Sequence, residues 1–319
     1  MNGRLLVLSV LAAGLMMAAP AQTKTANSKT CQVELYVLGS GQDGGSPQLG
    51  HDDDPAWRDK KQVRTASSLG LIDRRTGRRF LFDATPDVRD QLHRFDVMTK
   101  TNGPAPGLEG VFLTHAHIGH YTGLMFFGNE SMGAKGLPVW AMPRMADFLA
   151  KNGPWSQLVS LGNIVLKPLQ DRVPVEIGEQ LSITPLRVPH RQEYSEVVGF
   201  RIEGPNKKVL FIPDIDRWED WDAQGVKIED QIAKVDVAYL DGTFYADGEL
   251  PGRDMSKIPH PMITKSMARF AALPEAERGK IRFIHLNWSN PARFKDTPAR
   301  EEVVTSGFKI AEENEKLCL

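Results

Sequence analysis

Apolar side chains fall along this chain in short runs closed by glycine, proline or charged residues, a spacing that predicts strands interleaved with a few helices. Residues 33–38 (Val-Glu-Leu-Tyr-Val-Leu) predict a first strand, which empties into Gly39-Ser40-Gly41 and then Asp43-Gly44-Gly45-Ser46-Pro47, a long glycine-rich loop. Two further runs, 67–72 and 79–83, flank the turn Asp73-Arg74-Arg75-Thr76-Gly77-Arg78 and predict a hairpin that exits at Asp83. Val88, Leu92 and Phe95, at spacings of four and three, predict a helix after it. Residues 110–114 (Gly-Val-Phe-Leu-Thr) predict a strand that delivers the chain to His115-Ala116-His117-Ile118-Gly119-His120, with a helix starting near Tyr121. Strand-like runs then recur at 138–141, 164–166, 181–186, 197–202, 208–212, 235–240 and 281–284, and residues 263–273 predict a helix between the last two.

Strands and helices alternate without an internal repeat, a low-complexity tract or a Ser/Pro-rich linker, which predicts one mixed α/β domain. At 319 residues, 41% hydrophobic and 25% charged, the chain can bury a sizeable core, so disorder and coiled coil are poor readings. With 39 basic and 40 acidic residues it has no global field to draw in nucleic acid or an anionic membrane, and the expected partner is a small-molecule substrate.

The N-terminus has its own grammar. Arg4 precedes the apolar residues 5–18 and then Ala19-Pro20-Ala21, the layout of an export signal cleaved after Ala21. The apolar run is shorter than the ~20 residues a spanning helix needs, so no stable membrane anchor is expected after cleavage. The expected boundaries are a signal peptide over 1–21, a polar leader over 22–30 and the folded domain over 31–319, in a protein exported to the periplasm. The only two cysteines, Cys31 and Cys318, bracket that domain, either as a disulfide suited to an oxidising compartment or as two separate thiols near the chain ends.

Three of the eight histidines fall within six positions at a predicted strand-to-helix junction, where imidazoles from an extended loop and the next turn can meet one metal ion. His190, Asp214 and His285 each stand where a predicted strand stops, as a scaffold that aims ligands from one sheet edge would place them. Asp52-Asp53-Asp54-Pro55 reads instead as a solvated acidic turn. The ordered set of His-x-His, His, His, Asp and His resembles the metallo-β-lactamase superfamily, whose signature is H-x-H-x-D-H followed by a distant His, an Asp and a last His.

That resemblance implies an α/β (α+β) fold of the αββα sandwich type, with the metal site at one edge. By position, His115, His117 and His190 would form a first metal site that Asp214 bridges or completes, and His120 with His285 would belong to a second. Where the signature has aspartate this chain has Gly119, so one divalent ion is expected rather than two, zinc in the first instance and iron as the alternative, unless Asp241, His260 or water makes up the shortfall. Asp83 is expected to position a ligand rather than to bind metal.

Within the superfamily, seven segments are similar in order to the coenzyme PQQ synthesis protein B family, among them residues 39–48, 83–89, 188–191, 240–244 and 285–291. Many members of that family lack one or both histidines at 115 and 117; this chain keeps both. The implied function is an exported metal-dependent hydrolase of an ester, lactone, amide or phosphodiester, with Asp214 orienting the attacking water and Asp241 or His260 protonating the leaving group. The alternatives are an iron-dependent oxidative enzyme related to PQQ biosynthesis and a non-catalytic metal-binding relative.

Overall fold

Among the described residues, fourteen strands make two seven-stranded sheets packed face to face. They are β1 (Val33–Gly39), β2 (Ser68–Asp73), β3 (Arg78–Phe82), β4 (Leu108–Phe112), β5 (Leu137–Ala141), β6 (Ile164–Pro168), β7 (Val175–Gly178), β8 (Leu181–Arg187), β9 (Val198–Glu203), β10 (Lys208–Ile212), β11 (Val237–Asp241), β12 (Ile281–Ile284), β13 (Lys309–Ile310) and β14 (Lys316–Cys318). The computed structural model describes residues 31–100 and 107–319, with Met1 and Gly3; the rest of the expected signal peptide, its cleavage point and the expected leader over 22–30 lie outside the described residues. Among the described residues, no helix is long and apolar enough to cross a membrane.

The first sheet runs β14-β1-β2-β3-β4-β5-β6 and the second β13-β12-β11-β10-β9-β8-β7. Pairing is antiparallel from β14 to β3 and parallel from β3 to β6, and the second sheet repeats the scheme, antiparallel from β7 to β10 and parallel from β10 to β13. The period-two pattern divides each strand between two cores. Val33, Leu35 and Val37 join Val209 and Phe211 between the sheets, whereas Tyr36 and Leu38 face the helices that cover the first sheet. Leu210 and Ile212 likewise face the helices over the second. Strands buried on both faces must be apolar at successive positions, which is why they read as closed runs.

Helices α1 (Val88–Thr99), α2 (Ile118–Tyr121), α3 (Pro143–Lys151) and α4 (Trp155–Ser160) contribute side chains to the core outside the first sheet. Outside the second lie α5 (Trp218–Ala223), α6 (Ile228–Ile232), α7 (Ile263–Phe270) and α9 (Pro298–Thr305), with the short α8 (Glu275–Arg278) leading into β12. The layers are thus helix, sheet, sheet, helix, the αββα sandwich the resemblance implied.

Cys31 and Cys318 are bonded, with Cα atoms 5.7 Å apart. The bond ties the start of β1 to its neighbour β14, in which Glu34 stands opposite Cys318. One expectation fails locally: Asp52 and Asp53 are exposed, but Asp54 is buried, accepts from the Ala56 N–H at 2.9 Å and pairs with Arg293 at 2.8 Å. A buried carboxylate with a guanidinium beside it needs no solvent, and nothing in the acidic triplet had signalled a partner so far along the chain.

Candidate metal centre

Strand direction gathers the chemistry. β1, β3 and β4 point one way in the first sheet, and β8, β10, β11 and β12 share a direction in the second. Their C-terminal ends release Asp43, Asp83, His115, His190, Asp214, Asp241 and His285 at one edge. There the sheets are tied to each other: Leu286 N–H donates to the Ser40 carbonyl at 2.9 Å, Gln42 N–H to the Leu286 carbonyl at 2.9 Å, and Val198 N–H to the Thr114 carbonyl at 3.1 Å. Asp83 (φ 65°) and His285 (φ 67°) both lie in the left-handed region, a cost that non-glycine residues carry where the surroundings fix a functional side chain.

His115, His117, His190 and Asp214 form the first cluster. His115 Nε2 lies 2.9 Å from His117 Nδ1 and 3.3 Å from Asp214 Oδ2, while His190 Nε2 lies 3.2 Å from His117 Nδ1 and 3.0 Å from Asp214 Oδ2. A tetrahedral ion with bonds of about 2.0–2.1 Å needs donor atoms about 3.3–3.5 Å apart, so this set fits a divalent ion of the zinc type with little adjustment.

The outer ring nitrogens are also occupied, which sets the tautomers. Thr114 Oγ1 donates to Asp83 Oδ2 at 3.0 Å and therefore accepts from His115 Nδ1 at 3.0 Å, leaving the His115 Nε2 lone pair aimed into the cluster. Asp216 holds His190 Nδ1 at 2.7 Å, and Glu193 holds His117 Nε2 at 3.2 Å. The second sheet repeats the threonine relay: Thr243 Oγ1 donates to Asp241 Oδ1 at 2.7 Å and accepts from His285 Nδ1 at 2.9 Å.

His120 and His285 stand beside this cluster. His120 Nδ1 is held by Asp83 Oδ2 at 2.8 Å, in the positioning role expected of that aspartate. His260 Nδ1 lies 2.9 Å from Asp241 Oδ2 and 3.3 Å from Asp214 Oδ1.

Asp241 does not fit the expected role of proton donor. It is fully buried, and its two oxygens accept from the Ile215 and Thr243 N–H groups, the Thr243 hydroxyl and His260. Of the two candidates only His260 lines the adjoining cavity of about 640 Å³, whose wall also carries Arg191, Arg253 and Lys257 and no carboxylate.

Charge inside the centre follows from these pairings. Burial and the neighbouring His120 hold His115 well below the ordinary imidazole range. Burial would push His120 down too, but Asp83 and Asp43 outweigh it and hold its pKa at about 10. His190 is held at about 10 as well, burial being outweighed by Asp214 and Asp216. Burial opposes ionisation of Asp214, yet His190, His260 and His285 keep its carboxyl well below the usual carboxylate range. Imidazoles that hold protons against carboxylates in this way exchange them for a cation.

All six metal ligands expected from sequence, His115, His117, His120, His190, Asp214 and His285, meet at this edge. The residues that sequence reasoning passed over are Asp43, Thr114, Glu193, Asp216 and Thr243. Asp216 stands two positions after a ligand and the threonines beside one, but only the pairing of the sheets shows which imidazole each of them touches.

A mixed sandwich with clustered imidazoles at the C-terminal edge of its strands is the architecture of a metallo-β-lactamase-type protein. The family model described as the β-lactamase superfamily domain matches residues 78–297, and the chain belongs to that superfamily. It is similar to coenzyme PQQ synthesis protein B of Methylobacterium sp. (strain 4-46), 27% identical over 320 residues that cover 90% of this chain and 100% of that one. The same protein of Cupriavidus necator is 24% identical over 315 residues, 89% of this chain and 99% of its own length. Among solved structures, Zn(2+)-bound PqqB from Methylobacterium extorquens superposes with a TM-score of 0.73 at 22% identity, covering 90% of this chain and 100% of that one. A diphosphatase of the PhnP family superposes with a TM-score of 0.59 at 19% identity, covering 90% and 98%.

Proposed function

We propose that this protein is a metal-dependent hydrolase of a small anionic molecule, an ester, lactone, amide or phosphodiester. The observation that carries the reading is the convergence of His115 Nε2, His117 Nδ1, His190 Nε2 and Asp214 Oδ2 at one point, each imidazole fixed from behind, beside a cavity walled by Arg191, Arg253 and Lys257. His115, His117, His190 and Asp214 would hold a divalent ion, zinc by the donor set and spacing, which would supply a water activated near neutral pH and polarise the scissile group. The chain's own residues do the rest. Asp214 orients water through the oxygen that faces the imidazoles, the cavity cations hold the substrate's negative group, and His260, aligned by Asp241, delivers a proton to the leaving atom.

The similarity to PQQ synthesis protein B favours a second reading, an oxidative enzyme holding iron on the same imidazoles. A metal-binding relative without turnover is the third. Elemental analysis of the purified protein, with hydrolysis assays on a phosphodiester, carboxyl-ester, lactone and β-lactam panel and with oxygen uptake, separates all three. Zinc with hydrolysis abolished in His190→Ala supports the first reading. Iron with oxygen uptake, or bound metal with no turnover, overturns it.

The bonded pair Cys31–Cys318 supports export to an oxidising compartment such as the periplasm, because such bonds are rare where thiols are kept reduced. Cell fractionation followed by N-terminal sequencing should recover the protein in the periplasmic fraction beginning after Ala21, and recovery in the cytoplasmic fraction with Met1 retained would refute export.

A further inference from the structure

Gly119 occupies the position at which the superfamily signature carries an aspartate, and the space a side chain would need there is taken. A Cβ built on Gly119 would lie 2.4 Å from the Asp43 Cα and 2.4 Å from Asp43 Oδ1, distances that no real side chain tolerates. The intruder is a carboxylate. It comes from the loop after β1, which is pinned at the site by the bond from Gln42 N–H to the Leu286 carbonyl and closed by the Gly45 N–H to Gln42 carbonyl bond at 2.6 Å.

Asp43 Oδ1 faces His120 Nε2 at 3.4 Å and His285 Nε2 at 4.0 Å. These three atoms are buried, and all three lack a hydrogen-bond partner among the described residues. A buried polar atom is costly to leave unpaired; three such atoms aimed at a common point form a donor set. The outer nitrogens of both imidazoles are held, by Asp83 and by Thr243, so the inner nitrogens are presented as they are in the first cluster. Asp214 stands between the clusters, with Oδ2 3.9 Å from His120 Nε2.

We infer that Asp43 is a relocated metal ligand, replacing from the β1 loop the carboxylate missing at position 119, and that with His120 and His285 it completes a second divalent-metal site. The two positions are exclusive: a carboxylate at 43 requires glycine at 119. The expectation of a single ion rested on the shortage at 119, which Asp43 makes good. This inference builds on the reading of the first cluster as a metal site, but the two fail separately, because the first cluster uses neither Asp43 nor Gly119.

The test is equilibrium dialysis of the full-length protein and its variants against Zn²⁺, followed by elemental analysis, with circular dichroism to confirm folding. The expected result is two ions per chain in the wild type, one in Asp43→Asn, and two again in the exchanged variant Asp43→Gly/Gly119→Asp. His117→Ala lowers the count through the first site and leaves the Asp43-dependent ion in place. One ion in the wild type at saturating Zn²⁺, or two in Asp43→Asn, overturns the inference while leaving the first site intact. No bound ion in the wild type overturns both readings. Should the exchanged variant not fold, the comparison of wild type with Asp43→Asn decides alone.

Discussion

Asp83 serves a ligand in each cluster, His115 through Thr114 and His120 directly, and replacing it with asparagine isolates what that service is worth. Asparagine tolerates the left-handed backbone at this position, so the exchange removes charge without adding backbone strain. The new amide oxygen can still accept from the Thr114 N–H, which Asp83 Oδ1 accepts at 2.8 Å. Its NH₂ then faces His120 Nδ1 and the Thr114 hydroxyl, where Asp83 Oδ2 accepts at 2.8 and 3.0 Å. Two donors cannot face each other, so His120 must move its proton to Nε2. Thr114 must turn to accept from the amide and donate to His115 Nδ1, which drives the His115 proton to Nε2 as well. Both imidazoles would present N–H where a lone pair is needed.

Loss of one such partner behind a metal ligand lowers affinity by about 10–100-fold, and here two ligands are affected by one substitution. Titration of Zn²⁺ in competition with a chromophoric chelator should therefore show Asp83→Asn weaker by at least one order of magnitude, with unchanged circular dichroism. An Asp83→Asn protein that folds and binds Zn²⁺ as tightly as the wild type would refute the tautomer argument.

Two predictions concern the frame rather than the centre. Replacing Cys31 with serine removes a cross-link spanning 287 positions and should lower unfolding stability by about 2–5 kcal/mol; urea midpoints should match those of reduced wild type, and an unchanged midpoint would show that the bond contributes nothing. Burial opposes ionisation of Asp54, but the Ala56 N–H and Arg293 outweigh it and hold its carboxyl below the ordinary value. A carboxyl depressed in the folded state contributes stability that is fully present above its unfolded pKa and lost as pH falls through the folded one. Asp54→Asn should therefore cost about 3–5 kcal/mol at neutral pH, as breaking a buried ion pair does, with the difference shrinking in acid. A deficit that stays constant from neutral pH to acid would contradict that assignment.

Much of this protein could be read before it was folded. Buried strands need apolar side chains at consecutive positions, so the runs at 33–38, 79–83 and 208–212 announced β1, β3 and β10. Imidazoles and carboxylates at the ends of such runs announced the metal centre, because a ligand's chemistry is a property of its own side chain. What depends on two distant segments meeting was decided only by tertiary structure. Asp54 looked solvated because Arg293, its partner, is 239 positions away. Asp241 and His260 looked alike as proton donors until β11 placed one beneath the other. Gly119 read as a lost ligand, since a sequence shows which side chain is missing at a position but not which neighbour fills its volume; only the packing of the β1 loop against α2 set Asp43 in that space.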